Sequence, residues 1–192
     1  MGLLIFLAIF GVILVWAIWT RNTIVRYFNA TQRAWSEVIN YERQKIKTLD
    51  ILQQHLSQYT QFEQSTLENI TQLRQQILNL NLQNADTGQL QQIEALSQSL
   101  LKNLHVVVEN YPELKADQLY GKMMDDIQEQ HDNVAAAISI FNRNVEEFNN
   151  TIQVFPNNLI NSVSLAKKPI RPFADGDASR NFSYRPNFHG RS

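Results

Sequence analysis

His55, His105, His131 and His189 are the side chains best suited to bind a metal or move a proton near neutral pH. No two of them stand at the i, i+3 or i, i+4 spacing that puts two ligands on one helix face. His131, with Asp132 beside it, falls within an apolar stripe. It reads as a partly buried histidine at the edge of that stripe rather than as a metal ligand or pH-sensitive group, because nothing nearby completes a site. Asp125-Asp126 and Glu146-Glu147 are adjacent pairs. A helix splays neighbours about 100° apart, so these are solvated carboxylates and not paired acids. A ferritin-like centre would need Glu-x-x-His motifs, and the chain has none. Cysteine is absent, which removes disulfides, thiolate metal sites and a cysteine nucleophile together. Gly-rich phosphate loops and nucleophile elbows are missing too. No catalytic, cofactor-binding or metal-binding residue is assigned. The basic cluster Lys167, Lys168 and Arg171 can touch anionic lipid headgroups or serve as a solvated linker. The glycosylation triplets at Asn29, Asn69 and Asn181 are set aside, since the first two lie on helix faces and no secretory signal precedes them.

What positions these residues is mostly helix. From Gly2 to Trp19 no side chain is charged and nearly all are apolar, which is long enough for an α-helix to cross a bilayer. A cleaved signal peptide fits less well: the start has no basic side chain, and bulky Trp16 to Trp19 stand where a cleavage site needs small residues. Arg21, Arg26 and Arg33 follow the span, so the positive-inside rule predicts a cytoplasmic body. Apolar residues then recur every three or four positions from Phe28 to Leu80, predicting helix 1 from the membrane to about Leu82, with a break allowed near Glu63 to Thr66. Asn84 to Gly88 is a turn, and helix 2 carries Leu90 to Val108. It stops at Tyr111-Pro112, whose link to Ala116 is drawn extended. Asp117 is the N-cap of helix 3, with the stripe Leu119, Met123, Ile127, His131, Val134, Ile138, Phe141, Val145, Phe148, Ile152 and Phe155. A short fourth helix spans Asn158 to Leu165. Beyond it the prolines and Gly176 deny regular structure, while Phe173, Phe182, Tyr184 and Phe188 favour docking on the bundle.

The fold class is therefore all-α: a transmembrane helix (1–20), a long-helix antiparallel bundle (21–165) of three main helices and a short fourth, and an irregular Pro/Phe-rich tail (166–192). With 192 residues and a net charge of −1, nothing recommends nucleic acid as a partner.

Several segments together resemble the LemA family over almost the full length. They are Ala34-Trp35-Ser36-Glu37 opening the long helix, Tyr111-Pro112-Glu113-Leu114-Lys115-Ala116 between two helices, and Phe148-Asn149-Asn150-Thr151-Ile152 followed by Phe155-Pro156-Asn157-Asn158-Leu159. Lys168-Pro169 and the Phe-rich tail continue the likeness. Thr48 to Gln53 lacks a proline that the family often carries, which predicts a straighter helix 1. The resemblance implies a membrane-anchored antiparallel helical bundle in a bacterial inner membrane, with no known catalytic activity.

The functional expectation is a non-enzymatic, membrane-anchored interaction or scaffold protein without cofactor, touching lipid through its N-terminal helix. The alternative is an accessory subunit of a membrane enzyme such as a protease. With helix 1 unbroken and helix 3 climbing to the distal end, the membrane-proximal ~40 Å of helix 1 lacks a partner. That stretch carries Val25, Phe28, Trp35, Val38, Ile39 and Ile46, so either the tail covers it or copies of the chain pack there. Self-association into a homo-oligomer is the expectation.

Overall fold

The computed structural model describes residues 1–57 and 64–174. The chain begins with α1 (Gly2–Leu56), one unbroken helix of 55 residues. No proline or interior breaker interrupts it, as the missing proline at Thr48 to Gln53 predicts. Its first part is exposed on all sides, from Leu3 to Trp19, and is long and apolar enough to cross a membrane. Burial begins at Thr20 and Ile24 and continues through Trp35, Val38, Ile39, Leu49, Leu52 and Leu56.

The stretch drawn as one helix to Leu82 is two. After α1, α2 (Gln64–Leu78) runs back along it: Arg74 pairs with Asp50, and the Gln53 amide donates to the Thr71 hydroxyl at 3.2 Å. The segment between contains no glycine or proline to announce a reversal. The cause is burial: a straight helix would leave Ile70, Leu73 and Ile77 in water, whereas the fold-back buries all three. The break allowed near Glu63 to Thr66 falls a little earlier, between Leu56 and Gln64; Glu63 itself, like Tyr59 and Phe62, lies outside the described residues.

Beyond α2 the Asn81 side chain accepts the amides of Gln83 and Asn84, and Asp86 caps α3 (Thr87–Asn110) by accepting the Gln89 amide at 2.9 Å. Tyr111-Pro112 ends α3 as expected, but the link is not extended: Pro112 opens the single turn α4 (Pro112–Lys115). Asp117 then caps α5 (Gln118–Gln153), accepting from Leu119 and Tyr120. The stripe of α5 is buried from Met123 to Ile152, while its two expected ends differ. Leu119 faces out and Tyr120 turns in, its hydroxyl donating to the Leu104 carbonyl, and Phe155 is exposed.

With α2 reversing, α3 makes the third pass and α5 the fourth, so α5 descends from the distal end instead of climbing to it. His55 meets Asp117 at the top, Trp35 packs on Phe141 with ring centroids 5.3 Å apart, and Phe28 packs on Phe148 at 5.5 Å. The stripe of α1 expected to lack a partner is therefore covered within one chain, and Trp35, Val38 and Ile39 have no exposed surface. The Trp35 indole N–H also donates to the Asn81 carbonyl at 2.8 Å.

Val154 ends α5, and α6 (Asn157–Ile160) and a π turn (Asn161–Leu165) form a short tongue at the base. Ala166, at φ 49°, caps the π turn in the left-handed region and sends residues 167–173 back up α5. Phe173 packs on the core, so the described part of the tail docks on its own bundle. Phe182, Tyr184 and Phe188 lie outside the described residues. The core dictates a graded response to substitution. Phe148→Ala should cost about 3–5 kcal/mol in urea unfolding of the full chain, and Asp125→Ala, at an exposed position, less than about 0.5 kcal/mol.

Candidate functional site

Two arrangements stand out among the described residues: a buried charge cluster within the bundle and a row of asparagines gripping the tail. The cluster is built on the helix stripes themselves. Glu42 and Lys45 occupy stripe positions of α1 between Val38 and Leu49, and Ser97 sits between Ile93 and Leu100 on α3. Lys45 is 1% exposed and Glu42 fully enclosed. The ammonium lies 3.2 and 3.3 Å from the Glu42 carboxyl oxygens, 3.3 Å from the Ser97 hydroxyl and 3.8 Å from Glu94. His131 of α5 reaches the other Glu94 oxygen through Nδ1 at 3.3 Å.

Two carboxyls beside one ammonium cannot both remain charged cheaply in such a setting. Burial pushes the Glu42 carboxyl from its ordinary 4.5 up to about 8, against the pull of Lys45, and contact with Glu94 pushes it further the same way. Glu42 Oε2 and Glu94 Oε1 are buried and lie near the ammonium, but neither accepts a well-formed hydrogen bond. A proton on Glu42 removes one of the two negative charges beside Lys45. His131 is held below its ordinary 6.5 by burial and by Lys45, which outweigh Asp132 and Glu42. Glu42 and Lys45 are sealed from solvent, so they offer no surface to a substrate.

The second arrangement uses side-chain amides as backbone mimics. Asn142 accepts the Phe173 amide at 2.8 Å and donates to the carbonyl of the same residue at 2.9 Å. Asn149 treats Ile170 likewise at 2.9 and 2.8 Å, and Asn161 treats Lys167 at 3.0 and 2.9 Å. Seven helical residues rise about 10.5 Å, and three extended ones cover about 9–10 Å, so Asn142 and Asn149 match a three-residue tail repeat. Pro169 and Pro172 fall between the gripped residues, where no amide hydrogen is required, and favour the extended backbone. A groove of about 550 Å³ runs beside this strap, between Ser139 and Asn150 of α5 and Pro172.

The residues weighed from sequence fall out as follows. His131 is partly buried at the stripe's edge as expected, yet it is part of a charged network rather than isolated. His55 pairs with Asp117 at 2.6 Å. Burial works against the charge on Asp117, but the amides of Leu119 and Tyr120 and the His55 ring prevail and hold it below 3.8. His105 bonds its own helix through the Leu101 carbonyl, and His189 lies outside the described residues. Asp125, Glu146 and Glu147 are exposed, and the described residues hold no group of three or more His, Cys, Asp or Glu placed to bind a metal. Of the basic cluster, Lys168 and Arg171 are exposed, while the Lys167 ammonium sits 3.6 Å over the Phe28 ring. Glu42, Lys45 and Ser97 belong to no motif in the sequence. Their signal was polar residues in stripe register on two helices.

Each arrangement carries a test. Glu42 binds a proton more tightly folded than unfolded, so its contribution to stability falls as pH rises from 4.5 to about 8. Below 6.5 His131, which titrates low when folded, tilts the curve the other way. Between 6.5 and 8 the parent chain should therefore lose up to about 1.4 kcal/mol per pH unit relative to Glu42→Gln, measured by urea unfolding. Asn149→Ala should cost about 1–2 kcal/mol and speed amide exchange at Ile170, whereas Asn150→Ala, next to it and exposed, should do neither.

Comparison with known proteins gives this architecture its place. The model of the LemA family matches residues 34–181. A curated relative, "Protein LemA" of Metamycoplasma hominis, is 29% identical over 160 residues, covering 82% of this chain and 71% of that protein. The match takes in the four-pass bundle from Trp35 through the asparagine-held strap, and the chain belongs to the LemA family.

Proposed function

We propose that this chain is a membrane-anchored helical scaffold, without catalysis of its own, whose body stands on the cytoplasmic face of a bacterial inner membrane. One observation carries the reading: α1 runs without interruption from an exposed apolar segment of membrane-spanning length into the centre of the bundle. Such continuity fixes the body's direction relative to the span, since a helix has no soft joint without a breaker. From Thr20 to Leu56 the helix rises about 55 Å, so the distal end would stand well clear of the headgroups.

Self-association remains part of this reading on a different footing. The stripe from Trp35 to Ile46 is covered by α5 and cannot serve. On the span, however, Ala8, Gly11, Val12 and Val15 leave a shallow groove, and small residues let helices approach closely in lipid. The surface beyond the membrane is left for other proteins, the accessory-subunit role included.

The reading is tested with single cysteines in this cysteine-free chain. A cysteine at exposed Lys122 should resist an impermeant maleimide in intact cells and react after the membrane is opened. Labelling in intact cells would place the body outside, and release of the chain by alkaline carbonate would remove the anchor.

A further inference from the structure

The base of the bundle has a second apolar surface besides the span. Phe155, Leu159 and Val163 follow one another at intervals of four and face outward with Val154; Phe155 is 73% exposed and Val163 89%. These four belong to the tongue formed by the end of α5, α6 and the π turn. The opposite side of the tongue is packed: Leu165 lies against the small cluster of Ile24, Phe148 and Ile152, and α6 and the π turn contact α1. The exposed stripe is thus held in place by its own buried back.

Its height along α1 is fixed as well. The Arg21 guanidinium donates to the Ser164 hydroxyl at 3.1 Å, and Arg21 is the first charged side chain after the span. The tongue therefore lies level with the boundary between span and body, where a bilayer's acyl chains give way to headgroups. The charges nearest it are basic: Arg21 and Arg26 on α1 and Lys167 and Lys168 where the strap begins, while Glu146 and Glu147, level with Arg171, are the first acidic side chains up α5.

We infer that the tongue Val154–Leu165 is an interfacial wedge: Phe155, Leu159 and Val163 enter the acyl region of the leaflet beneath the body, while Lys168 rests among anionic headgroups. The inference rests on the reading of α1 as a membrane span and adds a second contact with the same bilayer. A lipid surface suits this patch because it must be apolar at its tip, positive at its rim and at the depth that α1 dictates. Amphipathic segments of this kind lie about 5–10 Å into the headgroup–acyl boundary. Two contacts on one rigid body also fix rotation about the span axis, which a lone span leaves free.

The test uses the full chain in vesicles of equal parts phosphatidylcholine and phosphatidylglycerol, with an environment-sensitive dye on Val163→Cys, Ile9→Cys or Gln128→Cys. Quenchers are lipids spin-labelled high on the acyl chain, lipids spin-labelled deep on it, and aqueous iodide. The dye at 163 should lose emission to the shallow lipid quencher and resist iodide; the dye at 9 should respond to the deep one, and the dye at 128 to iodide alone. If 9 is quenched by lipid while 163 responds to iodide, the span stands and the wedge is overturned. If 163 is shielded from lipid and iodide alike, a protein surface covers it and the lipid assignment is wrong. If 9 is not quenched by lipid, the span reading itself falls, and the wedge with it.

Discussion

The antiparallel contact between α1 and α5 is the interaction on which the rest of the molecule is hung. It runs from His55 and Asp117 at the distal end, through Trp35 on Phe141, to Phe28 on Phe148 and Ile24 by Ile152 at the base. Ile24, Trp35, Phe141 and Phe148 have no exposed surface, so burial is favourable along most of its length. The shorter α2 and α3 complete only the distal half, where they close the bundle around Leu49, Leu52 and Leu56. At the base the same pair is finished by the tongue and the strap, which add Leu165 and Ile170 to the cluster around Ile24.

Within this apolar frame the Lys45 cluster looks costly, and an apolar replacement of the same shape would often be as stable. What charges do that apolar groups do not is punish misalignment. A slip of α1 by one turn against α3 or α5 would leave the Lys45 ammonium among aliphatic side chains, far from Glu94 and Ser97. Shared leucine and isoleucine contacts would tolerate such a slip much better. The strap acts on register in another way. Its asparagines read backbone, so they fix where the chain lies along α5 while leaving the outward side chains of Lys168 and Arg171 free of the grip.

Much of the fold was legible because local chemistry and packing agree. The capping carboxylate of Asp117, the stop at Pro112, the turn before α3 and the stripe from Met123 to Ile152 all announce themselves in residue type and spacing. The reversal after Leu56 did not. No glycine or proline marks residues 57–63, and the stripe on either side keeps helical spacing, so only the need to bury Ile70 and Leu73 decides it. The sequence allows a break near Glu63 to Thr66 but does not by itself show the fold-back, and that fold-back changes the parity of the passes, reverses α5 and covers Trp35. The charge cluster hid for a different reason: Glu42 and Lys45, three apart on a helix, look like a surface ion pair until Ser97 and His131 are brought opposite them.

The unbroken α1 also makes the molecule a lever. A span longer than the local hydrocarbon thickness relieves the mismatch in part by tilting. With no hinge between Trp19 and Leu56, that tilt passes undiminished into the body. At a distance of about 55 Å, a tilt of about 10° carries the distal end sideways by roughly 10 Å. Under the proposed anchoring, the stiffness of α1 would convert bilayer thickness into position at the far end, where His55, Asp117 and the turn at Pro112 lie.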